Sequence, residues 1–75
     1  MPVKVYGTAQ CMPCRSTKRH LDKINIEYSF VDVSQDPSGH ETITALGYQT
    51  VPVVIAPDGT HFQGFQPDRL NALKE

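Results

Sequence analysis

The chain has 75 residues, of which 39% are hydrophobic, and a formal net charge of −1. That length holds one domain with a small core, taken as residues 1–75, and the charge balance gives no electrostatic reason to expect a nucleic acid or an acidic membrane surface as partner. No apolar run approaches the roughly 18 residues of a membrane span, and the start of the chain lacks the order of a signal peptide, so a cytoplasmic protein is expected.

Val3-Lys4-Val5-Tyr6 reads as a short strand, and Gly7, Thr8, Ala9 and Gln10 as the loop that delivers it to Cys11-Met12-Pro13-Cys14. From there Cys14, Thr17, Leu21 and Ile24 fall within an arc of about 80°, the buried stripe of a helix of about twelve residues. Arg15, Lys18, Arg19, Asp22 and Lys23 take the other side, and this is read as a solvated face. Asn25, which tolerates left-handed backbone, marks the helix end.

Ile26 to Val33 is β-branched and aromatic and turns continuously apolar at Phe30-Val31, which suits a strand covered on both faces. A helix between two such strands demands a right-handed crossover and parallel pairing. Ser34 to Gly39 breaks the pattern and offers two helix starts, Asp36-Pro37 or a Ser38-x-x-Glu41 capping box one turn further in. The second helix runs to Leu46, with Ile43 and Leu46 inward, and Gly47 ends it. Val51-Pro52-Val53-Val54-Ile55 is a third strand; Pro57-Asp58-Gly59-Thr60 is a hairpin turn, and Thr60-His61-Phe62-Gln63 its antiparallel return. Pro67 stands at a first helical position, and Leu70 and Leu73 give the last helix its buried side. The order is β-α-β-α-β-β-α, an α/β chain.

Cys11 and Cys14 are the only cysteines. In a compartment that keeps thiols reduced, and with a loop too short to constrain the unfolded chain, such a pair is catalytic or metal-binding rather than a staple. With Cys11 at the helix N-cap, its sulfur faces the unpaired N–H groups of the first turn and the positive end of the helix dipole, both of which favour thiolate. Cys11 is then the nucleophile and Cys14, facing inward, the resolving thiol. Pro13 sits in the first turn without breaking a helical bond, removes one donor from the Cys11 sulfur and stiffens the loop. Arg15 and Lys18 are cations close enough in sequence to support the thiolate.

The competing reading is half of a zinc site, which needs four ligands. His20 lies about 240° around the helix from Cys14, and no Cys or His pair follows His40 or His61, so no metal ligand is assigned. A non-enzymatic CxxC metal carrier and a binding-only adaptor are the rivals from other classes. Val51-Pro52 is either a trans proline at a strand start or a cis one that turns the Val51 N–H and C=O outward as pairing groups.

CxxC at the start of the first helix, Thr50-Val51-Pro52 opening the third strand and the order of elements together resemble the glutaredoxin group over essentially the whole chain. Leu21-Asp22-Lys23, Glu27-Tyr28, Leu46-Gly47-Tyr48, Val51-Pro52-Val53-Val54 and Gly64-Phe65-x-Pro67-Asp68-Arg69 are similar to the NrdH-redoxin family within it. The resemblance implies a thioredoxin fold, with a four-stranded mixed sheet flanked by three helices, and thiol-disulfide oxidoreductase activity. It also implies a cis Pro52 beside Cys11 and a substrate groove of Met12, Pro13, Val51, Pro52, Gly64 and Phe65. No bound cofactor is implied. The resemblance further implies a monomer in which a reversible Cys11–Cys14 disulfide carries electrons from NADPH, through thioredoxin reductase, to the large subunit of a class Ib ribonucleotide reductase. Two alternatives stay open on the same fold: a glutathione-dependent glutaredoxin and a general thioredoxin-like protein disulfide reductase. Met12-Pro13 leans toward the latter, since it puts proline where thioredoxin has it and the NrdH family usually has Val-Gln.

Overall fold

A computed structural model describes residues 3–73, so residues 1–2 and 74–75 of the expected unit lie outside the described residues. The elements run β1 (Val3–Gly7), α1 (Met12–Lys23), β2 (Tyr28–Asp32), α2 (Pro37–Ala45), β3 (Val53–Ile55), β4 (His61–Gln63) and α3 (Pro67–Ala72), in the order read from the sequence. The four strands form one mixed sheet in the order β2-β1-β3-β4. β1 pairs parallel with β2, Val5 opposite Phe30, and antiparallel with β3, Val5 opposite Val54. The β3–β4 hairpin is antiparallel, with Val54 opposite Phe62.

Alternation along the strands divides the core between the two faces of the sheet. Val3, Val5, Val54 and Phe62 point to the face covered by Leu21 of α1 and Leu70 of α3. Tyr6 and Val53 point to the other, where Ile43 of α2 packs on them. Each face is small, and the removal of these side chains from water is what holds the helices to the sheet.

α1 begins two residues earlier than Cys14, because Cys11 is extended (φ −89°, ψ 119°) and its sulfur accepts from the Cys14 N–H. Thr17, fully buried, satisfies its hydroxyl by donating to the Pro13 carbonyl at 2.9 Å. The helix closes through Ile24, and Asn25 takes the expected left-handed conformation at φ 61°. Of the two starts read for α2, Asp36 is the one used: its Oδ1 accepts from the Ser38 and Gly39 amides at 3.1 and 3.3 Å. The Ser38 hydroxyl donates to the same oxygen at 2.8 Å, which leaves it unavailable as a cap of its own.

Several expectations need correction. Leu46 is not inward: α2 ends at Ala45, and Leu46, its C-cap, is 39% exposed. β2 has apolar neighbours on both faces, as read, but it is an edge strand, so its residues are half-buried or exposed and none is fully buried. Its apolar run serves the core on one side and α2 on the other, through Tyr28 and Phe30 against Val31. β3 begins only at Val53, so Val51 and Pro52 precede it, and Thr60 belongs to the turn, where its carbonyl accepts from the Ala56 N–H at 2.7 Å. Lys18 is not on a solvated face: it is half-buried, with Nζ 4.1 Å from the centre of the Phe30 ring.

Candidate active site

Three segments meet at one end of the sheet: the last residue of β1, the first turn of α1 and the loop that precedes β3. Gly7 closes β1 directly beneath Cys14. A Cβ at Gly7 would stand 2.5 Å from the Cys14 Sγ and 3.1 Å from its Cβ, closer than such atoms pack, so the absence of a side chain makes room for the cysteine. Cys14 is fully buried there, while Cys11, at the helix cap, is half-buried; both are free thiols. The Cys14 N–H donates to the Cys11 sulfur at 3.2 Å, and on its other side that sulfur lies 3.9 Å from the Val51 carbonyl, at the outer limit for a thiol donor. Pro13, with no N–H, leaves the Cys14 amide as the donor this turn supplies to the sulfur.

Burial pushes the Cys14 thiol up from 9.0 to about 12. The hydrogen bond and the charge interaction with Cys11 act in the same direction, while the Thr8 backbone and the Lys18 ammonium act against it. The two sulfurs therefore sit in unlike surroundings, one at the surface under a backbone N–H and one in the dry angle between helix and sheet.

Val51–Pro52 is a cis peptide bond, and Pro52 is buried. The Pro52 carbonyl accepts from the Gly64 N–H at 2.7 Å, which ties the loop before β3 to the turn after β4, where Gly64 has φ +85°. Cys11, Cys14, Val51, Pro52 and Gly64 are thus one connected set. Met12, 66% exposed, and Pro13 lie on its open side. Phe65, 40% exposed, turns toward α1, its ring edge-on to His20 at 6.0 Å. There it bounds a cleft of about 230 Å³ with Ser16, Arg19, His20 and Lys23. A larger cleft of about 430 Å³ opens beside Val51, bordered by Thr8, His40, Tyr48 and Thr50 among others. Val51 and Phe65 thus border different hollows.

Two of the three histidines are engaged away from the thiols, and His40 borders the cleft beside Val51. His20 Nε2 shares a hydrogen bond with the Asn71 side chain at 2.8 Å, and His61 Nδ1 one with the Tyr48 hydroxyl at 2.7 Å. Among the described residues no group of three or more His, Cys, Asp or Glu is placed to hold a metal ion, and no helix is long and apolar enough to cross a membrane. Two residues bearing on Cys14 were not singled out for it by their sequence position. Thr8 acts through its backbone, which leaves no side-chain signal. Lys18 sits four residues after Cys14, a spacing that signals proximity on a helix and nothing about the Phe30 ring beneath it.

The glutaredoxin family model matches residues 3–62. The glutaredoxin-like protein NrdH of Salmonella typhimurium is 34% identical over 73 residues, covering 97% of this chain and 89% of its own. The Gene 56 protein of Mycobacterium phage L5 is likewise 34% identical, over 96% of this chain and 71% of its own. Among solved structures, NrdH-redoxin of Escherichia coli superposes with a TM-score of 0.92 at 32% identity, over 100% of this chain and 97% of that one. With this sheet order and these relatives over nearly its whole length, the chain belongs to the glutaredoxin family, as a thiol-disulfide oxidoreductase of the glutaredoxin-like NrdH type.

Proposed function

We propose that Cys11 and Cys14 are the working dithiol, with Cys11 attacking and Cys14 resolving, and that the chain carries electrons from NADPH, through thioredoxin reductase, to a class Ib ribonucleotide reductase. The observation that supports the division of roles is the contrast between the two sulfurs. Cys11 is reachable and accepts the Cys14 amide at 3.2 Å, a bond that strengthens as negative charge gathers on sulfur; Cys14 is sealed and its thiol is pushed up to about 12. In the cycle the Cys11 sulfur attacks one sulfur of a substrate disulfide, and the other leaves as a thiolate. Cys14 then attacks Cys11, the second substrate sulfur leaves, and the Cys11–Cys14 bond holds the oxidised state until a reductase returns two electrons. The backbone of Val51, beside Cys11, pairs with the substrate chain, and Met12, Pro13, Pro52, Gly64 and Phe65 form the surface it lies on.

Thioredoxin reductase as the electron source draws support from the Escherichia coli relative, which is described by its thioredoxin-like activity profile. No prosthetic group enters the cycle, and the cytoplasm, where thiols are kept reduced, is the compartment it requires. The test is NADPH oxidation in the presence of thioredoxin reductase, this chain and an artificial disulfide. Turnover there, with little from glutathione and its reductase, is expected. The reverse pattern would reassign the chain to the glutathione-dependent glutaredoxins.

A further inference from the structure

We propose that Lys18 is a positioning residue for the resolving step, its ammonium held on the Phe30 ring so that it stabilises the negative charge Cys14 carries when it attacks the mixed disulfide. This rests on the proposed division of roles between the cysteines. Lys18 follows Cys14 by four residues, which on a helix brings their Cβ atoms within about 5–6 Å. Its Nζ stands 4.1 Å over the centre of Phe30. The edge of the same ring and the Cys14 sulfur both press on Gly7: a Cβ there would be 3.2 Å from Phe30 Cε1 and 2.5 Å from Cys14 Sγ. Ammonium, ring and sulfur are thus contiguous in the angle between α1, β1 and β2. An ammonium seated on a ring gives up part of its hydration, and across a dry, packed region its field is less screened than at the surface.

The other groups acting on Cys14 explain why this matters at one step in particular. From α1 they are Cys11 and Lys18, and from the loop the Thr8 backbone; β1 and β2 present Gly7 and Phe30, neither of which titrates. Cys11 opposes ionisation of Cys14 both by its hydrogen bond and by its charge. In the mixed disulfide Cys11 carries neither thiol proton nor charge, so both objections vanish. What remains in favour of a Cys14 thiolate is Lys18 and the Thr8 backbone, against burial alone. The site therefore opposes ionisation of Cys14 most strongly before substrate is attached, and less so afterwards. In that step Cys14 loses its proton to solvent, its sulfur bonds to Cys11 Sγ, and the Cys11–substrate S–S bond breaks. The electron pair leaves on the substrate sulfur, which takes up a proton.

The experiment mixes the reduced protein rapidly with an aromatic disulfide that releases a coloured thiolate. The first release reports attack by Cys11 and the second reports resolution by Cys14. A Cys14→Ser chain is run first, and it must stop after one release with the label on Cys11; if it does not, the division of roles fails, and this proposal with it. In Lys18→Met, which keeps the apolar stem, resolution is expected to slow about threefold at neutral pH for each unit by which Cys14 rises. That figure follows because a tenfold loss of thiolate is offset by about a threefold gain in its nucleophilicity. The rise of the resolution rate with pH moves to higher pH, Lys18→Arg restores both, and the first release is slowed less than the second. Equal slowing of both releases, an unmoved pH profile, or failure of Lys18→Arg to rescue would overturn the proposal.

Discussion

At Gly7 one methyl group decides whether Cys14 can keep its place. An added Cβ would overlap the cysteine sulfur and crowd the Phe30 ring, and neither the strand nor the helix start can yield without losing pairing. Gly7→Ala should cost about 1–3 kcal/mol, the usual range for overpacking, measured as a fall in urea midpoint with unchanged slope. The cysteine roles make a second prediction at this scale. Cys14→Ser should accumulate a mixed disulfide on Cys11 when treated with a substrate disulfide, seen by mass spectrometry; equal accumulation through Cys14 in Cys11→Ser would reverse the assignment. The pair itself was legible from sequence, since two cysteines three apart at a helix start have few other uses. The meaning of Lys18 was not. A helical wheel assigns it an angle, but the aromatic ring it covers comes from β2, and nothing local to α1 foretells that.

Among the elements, α2 depends on a single carboxylate. Asp36 caps two amides and receives the Ser38 hydroxyl, and these hydrogen bonds, the Ser38 side chain's first, hold its carboxyl below the ordinary 3.8. A lowered folded value means that this stabilisation is present above pH 3.8 and disappears as the pH falls through the folded value. Asp36→Ala should therefore lower the melting temperature by several degrees at neutral pH, and the gap from the parent should close in strong acid. Asp36→Asn, which keeps an acceptor, should retain much of the cap without that acid dependence. The sequence offered both Asp36 and Ser38 as starts because each is a sound cap alone; only their mutual hydrogen bond decides between them. Leu46 was misplaced for a related reason: helical spacing extends the apolar stripe past Ala45, but the helix ends there, and after Leu46 the chain turns at Gly47, φ +92°. β2 reads as a doubly covered strand because its residues do feed two apolar layers; that it lies at the sheet's edge cannot be told from composition alone.

For the whole molecule, the core is two thin layers on either side of a four-stranded sheet, so each large side chain matters. Leu21→Ala or Leu70→Ala, both fully buried between helix and sheet, should each cost about 2–5 kcal/mol in chemical denaturation. The reduced protein should also have an alkaline weakness. Cys14 ionises near 9.0 when unexposed to such burial and near 12 when folded. A raised folded value stabilises below pH 9.0 and is lost as the pH climbs toward about 12, so stability should fall more steeply above pH 9 in the parent than in Cys14→Ser, both kept reduced. The sequence carried the list of elements and the parallel β1–β2 unit, whose connection is local. That β3 lies against β1 and not beside β2 depends on contacts across the whole chain, which no short window contains.

The hairpin turn of Pro57–Thr60 has a practical consequence. β1 leads toward Gly7 and the dithiol, β3 leads away from Val51 and Pro52, and so the turn lies at the opposite pole of the sheet. Nothing approaches the position a Cβ would take at Gly59 within 4 Å. A fluorescent reporter inserted between Asp58 and Gly59 should leave disulfide reduction at its original rate. Such a fusion would follow the molecule in a cell from the side that takes no part in its chemistry.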